Sequence, residues 1–175
     1  IEQMLAAGER RASRELDRRP ARTKLFDALT NLVVIGDALV HRLSDQDDDL
    51  EVFNIRDYVL RRTPSGRIAN LIVREGVVWT DLEDAVKDLW METKAKPDDD
   101  KVMTLYRWVT RVDRTSLKEE TWLEDIHLGA DFEGEYTDEE SPWGSFAWHL
   151  KRGQDYGTGH VEDYSGDFSA LSSLS

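Results

Sequence analysis

The chain has 175 residues, of which 36 are acidic and 23 basic, so its formal net charge is −13, and it contains no cysteine. This length suits one domain or part of a larger one, and the lack of cysteine excludes disulfides, thiolate metal sites and cysteine nucleophiles. The negative charge argues against tight non-specific binding of nucleic acid, which requires Lys and Arg to neutralise phosphates, and no apolar run approaches the roughly 20 residues that span a bilayer.

Two helices are predicted in the first quarter of the chain. Residues 1–19 are compatible with a polar helix, and the segment that follows Pro20 has apolar residues at the helical period. These apolar positions are Leu25, Phe26, Leu29, Leu32, Val33, Gly36, Leu39, Val40 and Leu43. The acidic run 45–49 ends the second helix. It begins like a calcium loop, but Leu50 stands where glycine is required, so it predicts a solvated turn.

The middle of the chain predicts a hairpin, a short helix and several strands. Two β-rich runs, 57–62 and 67–74, flank a Pro64-Ser65-Gly66 turn,. Thr80-Asp81-Leu82-Glu83 matches a capping box, and an amphipathic helix is expected to follow it. Residues 102–112 alternate as in a half-buried strand. Residues 121–128 and 146–150 predict two more strands, separated by an acidic loop.

The chain ends in a helical pattern with a stripe of large side chains. The stripe consists of Val161, Tyr164, Phe168, Leu171 and Leu174. Because a free helix would expose this stripe and the chain does not begin with Met, we expect it to be a fragment of a longer protein. The predicted fold class is α+β, with N-terminal helices, an antiparallel sheet of about five strands that includes a short helix, and a terminal helix.

Charge is distributed unevenly along the chain. Residues 1–24 carry a basic excess that includes Arg10, Arg11 and Arg14, whereas residues 117–141 carry ten acids against one lysine. This division indicates either contacts between copies or partners, or simply solvated charge. Of the six tryptophans, most are expected in the core, and Trp143 beside Pro142 is the best candidate for an interface.

No catalytic, cofactor or metal constellation is predicted. The four histidines lack metal-binding spacing, and no pair of carboxylates is singled out by its spacing for acid–base chemistry. Gly157-Thr158-Gly159 ahead of a helix is compatible with a phosphate cradle, although a simple turn is favoured. The sequence therefore predicts a protein that is not an enzyme.

A series of short motifs carries a resemblance to a known family. In chain order the motifs are the helix 24–39, the hairpin with Gly66, Ser141-Pro142-Trp143, Phe146–Leu150, and Tyr156-Gly157-Thr158-Gly159 followed by Tyr164, Gly166 and Asp167. Their order resembles the portal, or head-to-tail connector, proteins of short-tailed, podovirus-type phages over residues 16–175. Thr158 departs from the family, where Arg is common, and Phe168 stands at a position where an aliphatic residue is common.

The resemblance implies an architecture and a function. It implies a helical part of a wing at 1–44, a β-rich, SH3-like wing core at 45–154, and the start of a long stem helix at 155–175. The expected protein is one subunit of a dodecameric ring at a unique capsid vertex, assembled in the host cytoplasm, through which the genome is packaged and ejected. The implied partners are the major capsid protein and scaffold, the terminase, the tail adaptor and double-stranded DNA that passes without sequence-specific binding, with no membrane and no cofactor.

Two groups of candidate residues follow from the motifs and the charge pattern. The family-motif residues are Tyr156, Gly157, Gly159, Tyr164, Gly166 and Asp167. The candidate subunit-interface residues are Arg10, Arg11, Arg14, Trp143, Val161, Phe168, Leu171 and Leu174. Two alternatives stay open: another virion component such as a head-completion or adaptor protein, and an acidic hydrolase that acts through paired carboxylates.

Overall fold

A computed structural model describes residues 21–43 and 50–173, apart from the side chains at positions 21, 168, 171 and 173. The helices are α1 (Ala21–Val34), α2 (Asp84–Thr93), α3 (His160–Asp163) and α4 (Ser165–Ser173). The strands are β1 (Asp37–Arg42), β2 (Leu50–Phe53), β3 (Tyr58–Arg62), β4 (Ile68–Val78), β5 (Val102–Arg111), β6 (Ser116–Leu123), β7 (Ile126–His127), β8 (Gly134–Thr137) and β9 (Trp143–Ala147). The prediction of helices combined with antiparallel sheet is confirmed, with more strands in the described residues than the five expected.

The described residues form two compact units. The first consists of residues 21–43, 50–55 and 142–173, and the second consists of residues 56–141. The first unit is therefore built from both ends of the described chain, and the second unit is one continuous segment. In the described residues, no helix is long and apolar enough to cross a membrane.

A three-stranded antiparallel sheet forms the centre of the first unit. Its strand order is β2-β1-β9, and Leu39 in the central strand lies opposite both Phe53 and Ser145. Residues 37–41 are all buried. On α1, Ala28 is buried and Leu32 is partly buried against the same cluster as Ala38 and Val40. Burial of this apolar surface is the main favourable term in the folding of the unit.

The predicted helix over 25–43 is wrong in its second half. Helix α1 ends at Val34, and Gly36 follows with φ +97°, a left-handed conformation that favours glycine,. The next residues form β1, whose backbone pairs with β2 and β9 and whose Leu39 and Val40 side chains are buried. Strand pairing with distant segments overrides the helical periodicity here, because local periodicity contains no information about those partners.

The second unit is built on an antiparallel sheet. Strands β3, β4, β5 and β6 pair in chain order, and β7 and β8 pair with different stretches of β6. The predicted 57–74 hairpin is confirmed, and the Gly66 amide donates to the Thr63 carbonyl at 2.8 Å within its turn. The predicted strand at 102–112 is also confirmed as β5.

Helix α2 packs on this sheet through a cluster of buried aromatic and aliphatic side chains. The cluster consists of Trp79, Val86, Trp90, Met103, Leu123 and Leu128. The rings of Trp79 and Trp90 meet edge to face with centroids 6.4 Å apart, and the Trp90 indole donates to the Ala95 carbonyl at 3.0 Å. The predicted helix is confirmed, but the capping box is wrong. Residues 79–81 form a 3-10 turn and Glu83 is the N-cap residue without a side-chain hydrogen bond.

Other predicted elements differ at their boundaries. The strand expected at 121–128 is divided into β6 and β7 by a turn in which Glu124 has φ 54°. The strand expected at 146–150 lies earlier, at Trp143–Ala147. The terminal helix is interrupted at Tyr164, whose φ of −104° and ψ of 12° separate α3 from α4. In each case the local pattern indicated the element type, and long-range pairing or a local turn determined its limits.

The turn between β5 and β6 is closed by one carboxylate. Asp113 accepts hydrogen bonds from the backbone amides of Thr115 and Ser116, both at 2.8 Å. Hydrogen bonds from the Ser116 side chain and from these amides lower the Asp113 pKa to about 2, because they stabilise the charged carboxylate,.

Burial predicts different consequences for two valines in the same sheet. Val73 is fully buried and Val59 is 63% exposed. We expect Val73→Ala to lower the free energy of unfolding by about 2 kcal/mol, because two methyl groups leave the core and a cavity remains. The matched Val59→Ala should cost about 0.5 kcal/mol or less. Urea denaturation measures both values, and equal losses would contradict the described core.

The Asp113 turn predicts a defined titration. NMR titration of the carboxyl carbon should give a pKa of about 2, and Ser116→Ala should raise this pKa because the hydrogen bond from the Ser116 side chain, the largest cause of the lowering, is lost. A lowered folded-state pKa means that the stabilising contribution is present above the unfolded pKa of about 3.9 and is lost as the pH falls towards 2. A wild-type pKa near the ordinary value would contradict this turn.

Candidate functional site

The family-motif turn lies against the end of α1 and the start of β1. The Gly157 amide donates to the carboxylate of Asp37, which is 3% exposed, and the Trp148 amide donates to the Gly36 carbonyl at 2.8 Å. A buried carboxylate requires such donors, since an uncompensated buried charge is costly. Because the Gly157 amide is used within the chain, the arrangement supports the turn interpretation of residues 157–159 over the phosphate cradle.

Three glycines allow this contact between backbone segments. A Cβ atom on Gly36 would lie 2.5 Å from the Gly159 nitrogen. A Cβ on Gly157 would collide with the Gly36 carbonyl oxygen, and one on Gly159 with the Val34 carbonyl oxygen. Side chains at these positions would force the segments apart, so the glycines of the motif have a packing reason. The sequence pattern indicated Gly157 and Gly159 but not their partner Gly36.

A partly exposed aromatic cluster, formed by Trp148, His149, His160 and Tyr164, adjoins this turn in the sequence. The Trp148 and His160 rings lie 5.1 Å apart, and His160 stacks on Tyr164 at 5.6 Å. His149 Nδ1 lies 2.8 Å from the Asp163 carboxylate, which joins the segment after β9 to α3. Trp148 is 40% and Tyr164 is 50% exposed. Such rings have an apolar face and one polar atom, and they are typical of partly hydrated protein interfaces.

The two predicted interface residues whose side chains the structure describes, Val161 and Trp143, lie in different environments. Val161 is 50% exposed on α3, so it is available for a contact. Trp143 is only 5% exposed and stacks on His41 at 4.0 Å, so core packing accounts for its position and its burial does not support a direct interface role. Phe168 and Leu171 lie in α4, but the structure describes only their backbone and not their side chains. Arg10, Arg11, Arg14 and Leu174 lie outside the described residues. Of the other motif residues, Gly166 and Asp167 lie on α4 and are exposed.

Two exposed apolar surfaces were not identified from the sequence. On α1, Phe26 is 69% and Leu29 is 58% exposed. On the second unit, Val59, Ile72 and Trp108 are cross-strand neighbours on β3, β4 and β5, exposed by 63%, 42% and 41%. Exposed apolar residues that form a continuous patch are characteristic of interaction surfaces. The Phe26 position widens the apolar stripe of α1 and was a signal that the helix exposes an apolar surface.

The acidic stretch 117–141 is largely sheet rather than loop, and part of its charge is compensated within the chain. Lys118 Nζ lies 3.0 Å from Glu120 and 3.1 Å from Glu133, and hydrogen bonds to these carboxylates, first to Glu120, raise the Lys118 pKa. Asp138 pairs with Arg111 at 2.6 Å and with Arg67 at 2.9 Å. The hydrogen bond from Arg111 is the main reason that the Asp138 pKa is lowered.

One group of side chains has ligand types that can bind a metal ion. The ligand atoms of Glu120, His127 and Glu133 lie within 4.8 Å of one another, brought together by the pairing of β6 with β7 and with β8, which Glu133 immediately precedes. The Lys118 ammonium already bridges the two carboxylates. This arrangement favours an ion-pair cluster, because a metal ion would have to displace that ammonium. Sequence spacing did not indicate the group, since its members come together only in the sheet.

The comparisons with known proteins concern the whole chain. The sequence model of the family described as "Bacteriophage head to tail connecting protein" matches residues 1–175. The chain belongs to this family of head-to-tail connecting proteins. The resemblance to portal proteins of short-tailed phages is therefore confirmed.

Individual relatives agree with the family match. The chain is 30% identical to the portal protein of Pseudomonas phage phiKMV over 172 residues, which are 98% of the chain and 34% of that protein. It is 24% identical to the portal protein of Escherichia phage T7 over 181 residues, covering 99% of the chain and 33% of that protein. It is 25% identical to the portal protein of Enterobacteria phage SP6, covering 98% and 33%. The chain thus spans about a third of the length of these relatives.

The glycine contact predicts opposite effects for two alanine substitutions. Gly157→Ala should destabilise the protein by about 2 kcal/mol or more, since the new Cβ collides with the Gly36 carbonyl,. Gly166→Ala, on α4 with no atom within 4 Å of its Cβ position, should be neutral or stabilising by about 0.5–1 kcal/mol,. Thermal unfolding of both variants measures the difference, and a neutral Gly157→Ala would show that the backbone contact is loose.

Proposed function

We propose that the chain is part of a portal subunit that assembles into a dodecameric ring at a unique capsid vertex of a short-tailed phage. The observation that carries the proposal is the family match over residues 1–175, together with similarity to portal proteins over nearly the whole chain. In this role the protein forms a conduit for genome packaging and ejection in the virion, after assembly in the host cytoplasm. It has no catalytic activity of its own.

The charge of the chain supports a conduit that does not grip DNA. Affinity for DNA rises with each phosphate that a Lys or Arg neutralises, and the chain carries 13 more acids than bases,. An acidic surface therefore allows double-stranded DNA to slide through the channel without sequence-specific binding. The partners proposed for the ring are the major capsid protein and scaffold, the terminase and the tail adaptor.

The exposed apolar surfaces support assembly with further protein. A closed ring requires a heterologous interface, in which two different surfaces of each subunit meet. The α1 surface with Phe26 and Leu29, and the exposed Val161, offer apolar area for such contacts. Phe168, Leu171 and Leu174 remain proposed members of the same interface.

The regional roles are proposed on boundaries that differ from those of the two compact units. The proposed helical part of the wing is residues 1–44, although the described residues there form α1 and then strand β1. The proposed β-rich, SH3-like core is 45–154, and the proposed start of the stem helix is 155–175. The support is the order of the motifs along the chain, in particular the turn 156–159 followed by helix at 160–163 and 165–173.

A contact between neighbouring copies follows from the uneven charge. We expect the basic residues of segment 1–24 to face the acidic stretch 117–141 of the next copy, where exposed acids include Glu135 and Glu139. Complementary charges steer association and set its register. Reversal of Arg10, Arg11 and Arg14 to Glu in the complete native protein should therefore reduce ring closure, measured as the fraction of closed rings in negative-stain electron microscopy.

The control for that variant changes the same charge elsewhere. Lys101, Lys151 and Arg152 are exposed, and their reversal to Glu alters the net charge by the same amount outside both segments. Closed rings should persist in this control. If the two triple variants form rings equally well, the proposed contact is wrong; if the unmodified protein is a monodisperse monomer, the ring proposal itself fails.

Another virion component, such as a head-completion or adaptor protein, is the second candidate function. The family description as a head-to-tail connecting protein is compatible with it. Electron microscopy of capsids isolated before tail attachment distinguishes the two: the portal proposal expects a ring of this protein at one vertex of these particles, and the second candidate expects the protein only in later particles. The hydrolase alternative has no support from the family.

A further inference from the structure

The second unit contains a cavity of about 490 Å³ whose lining the proposed ring function does not explain. It is bordered by the start of α2, by β5 and β6, and by residues 128–136. Its volume lies within the range of small-ligand pockets, roughly 300–1,000 Å³. The cavity belongs entirely to one compact unit, so its shape depends only on the fold of residues 56–141.

The buried part of the lining is apolar. Val86 and Leu128 are 5% and 3% exposed, and Leu82, Leu105 and Phe132 are partly buried against the same core cluster. Such a surface favours the alkyl or aromatic part of a ligand, because burial of apolar area is favourable at roughly 25 cal/mol per Å².

The exposed part of the lining is acidic. Asp81, Glu83 and Asp131 are exposed, and in the described residues no Lys or Arg lies within ion-pair distance of them. The one cation in the lining, Arg107, already pairs with Glu75 at 3.0 Å. These three carboxylates therefore give the exposed part of the cavity a negative charge that would repel an anion.

Two further lining residues place a polar network deeper in the wall. Glu119 is 6% exposed. The pKa of Tyr136 is raised first by the burial of Tyr136 and then by the charge of Glu119 and the hydrogen bond between the two side chains. Both residues lie in the lining beside apolar side chains. The lining thus combines a buried pair, Glu119 with Tyr136, an apolar surface and three exposed carboxylates.

We propose that this cavity binds an organic cation, a guanidinium or ammonium group carried on an alkyl stem. The stem would contact the apolar wall while the cationic group lies among the carboxylates, as long basic side chains do when their alkyl part is buried. Two sources offer this chemistry: an arginine or lysine side chain of a polypeptide segment, and a free polyamine. This inference stands on the cavity and does not require the ring.

The test uses the complete native protein and two probes of this class. The first is a synthetic peptide of residues 8–22, which carries six arginines, and the second is spermidine. A matched peptide in which citrulline replaces every arginine keeps the shape and removes the charge. Isothermal titration calorimetry gives the affinities, and amide chemical shifts in NMR locate the site.

Two double variants distinguish binding in the cavity from non-specific attraction to the acidic surface. Glu83→Gln with Asp131→Asn removes two entrance charges, and both residues are exposed, so folding should be unaffected. Asp98→Asn with Asp100→Asn makes the same charge change at exposed positions outside the lining. We expect the first pair to weaken binding by about fivefold and the second to have little effect, with affinity falling as salt increases.

The outcomes are distinguishable. Saturable binding of either cationic probe with a Kd below about 1 mM, shifts at residues 81–86 and 119–136, and no binding of the citrulline peptide support the proposal. Stronger binding of the peptide identifies a polypeptide side chain as the source, and stronger binding of spermidine identifies a polyamine. The proposal is overturned if neither cation binds, if citrulline binds as well as arginine, or if both double variants weaken binding equally.

Discussion

The first unit depends on a close backbone contact between Gly36 and the turn 157–159. The contact leaves no room for a Cβ atom on any of the three glycines involved. It also brings the Gly157 amide to the buried Asp37 carboxylate. The end of α1, the start of β1 and the C-terminal turn therefore meet at this contact. Pairing of β1 with β9 then joins segments about a hundred residues apart in sequence. The contact therefore acts together with the pairing of β1 with β2 and β9 to fix where the helix ends and the strand begins.

The second unit shows why net charge alone describes this protein poorly. Several acids of the stretch 117–141 are held by cations of the same unit, such as Glu120 and Glu133 by Lys118 and Asp138 by Arg111. Partly exposed pairs of this kind contribute modestly to stability, but they determine which carboxylates remain available to partners. The charge that the described surface presents to solvent is therefore set by the unpaired acids, such as the exposed Asp131.

The elements that were predicted correctly are those in which local pattern and tertiary contacts agree. The 57–74 hairpin has its turn residues at 64–66, and β5 alternates because one face of the sheet is buried,. Helix α2 has the same agreement, although its capping box did not form. The helix predicted for residues 36–43 was wrong because these residues fit a helix locally, whereas in the fold Leu39 is buried and its strand pairs with two strands distant in sequence. The motif glycines were identified from the sequence, but their partner Gly36 was not, since only the fold brings them together.

The sequence by itself determined the family, because the order of short motifs along the chain can be recognised without any knowledge of tertiary contacts. Hydrophobic periodicity also determined that the fold combines helices with antiparallel strands. Only the tertiary structure decided which acids are paired, which tryptophans are buried, and where a cavity forms beside α2. Trp143 is the clearest instance, a predicted interface residue that stacks on His41 in the core. Burial and ion pairing depend on segments distant in sequence, and local pattern contains no information about which distant segments will meet.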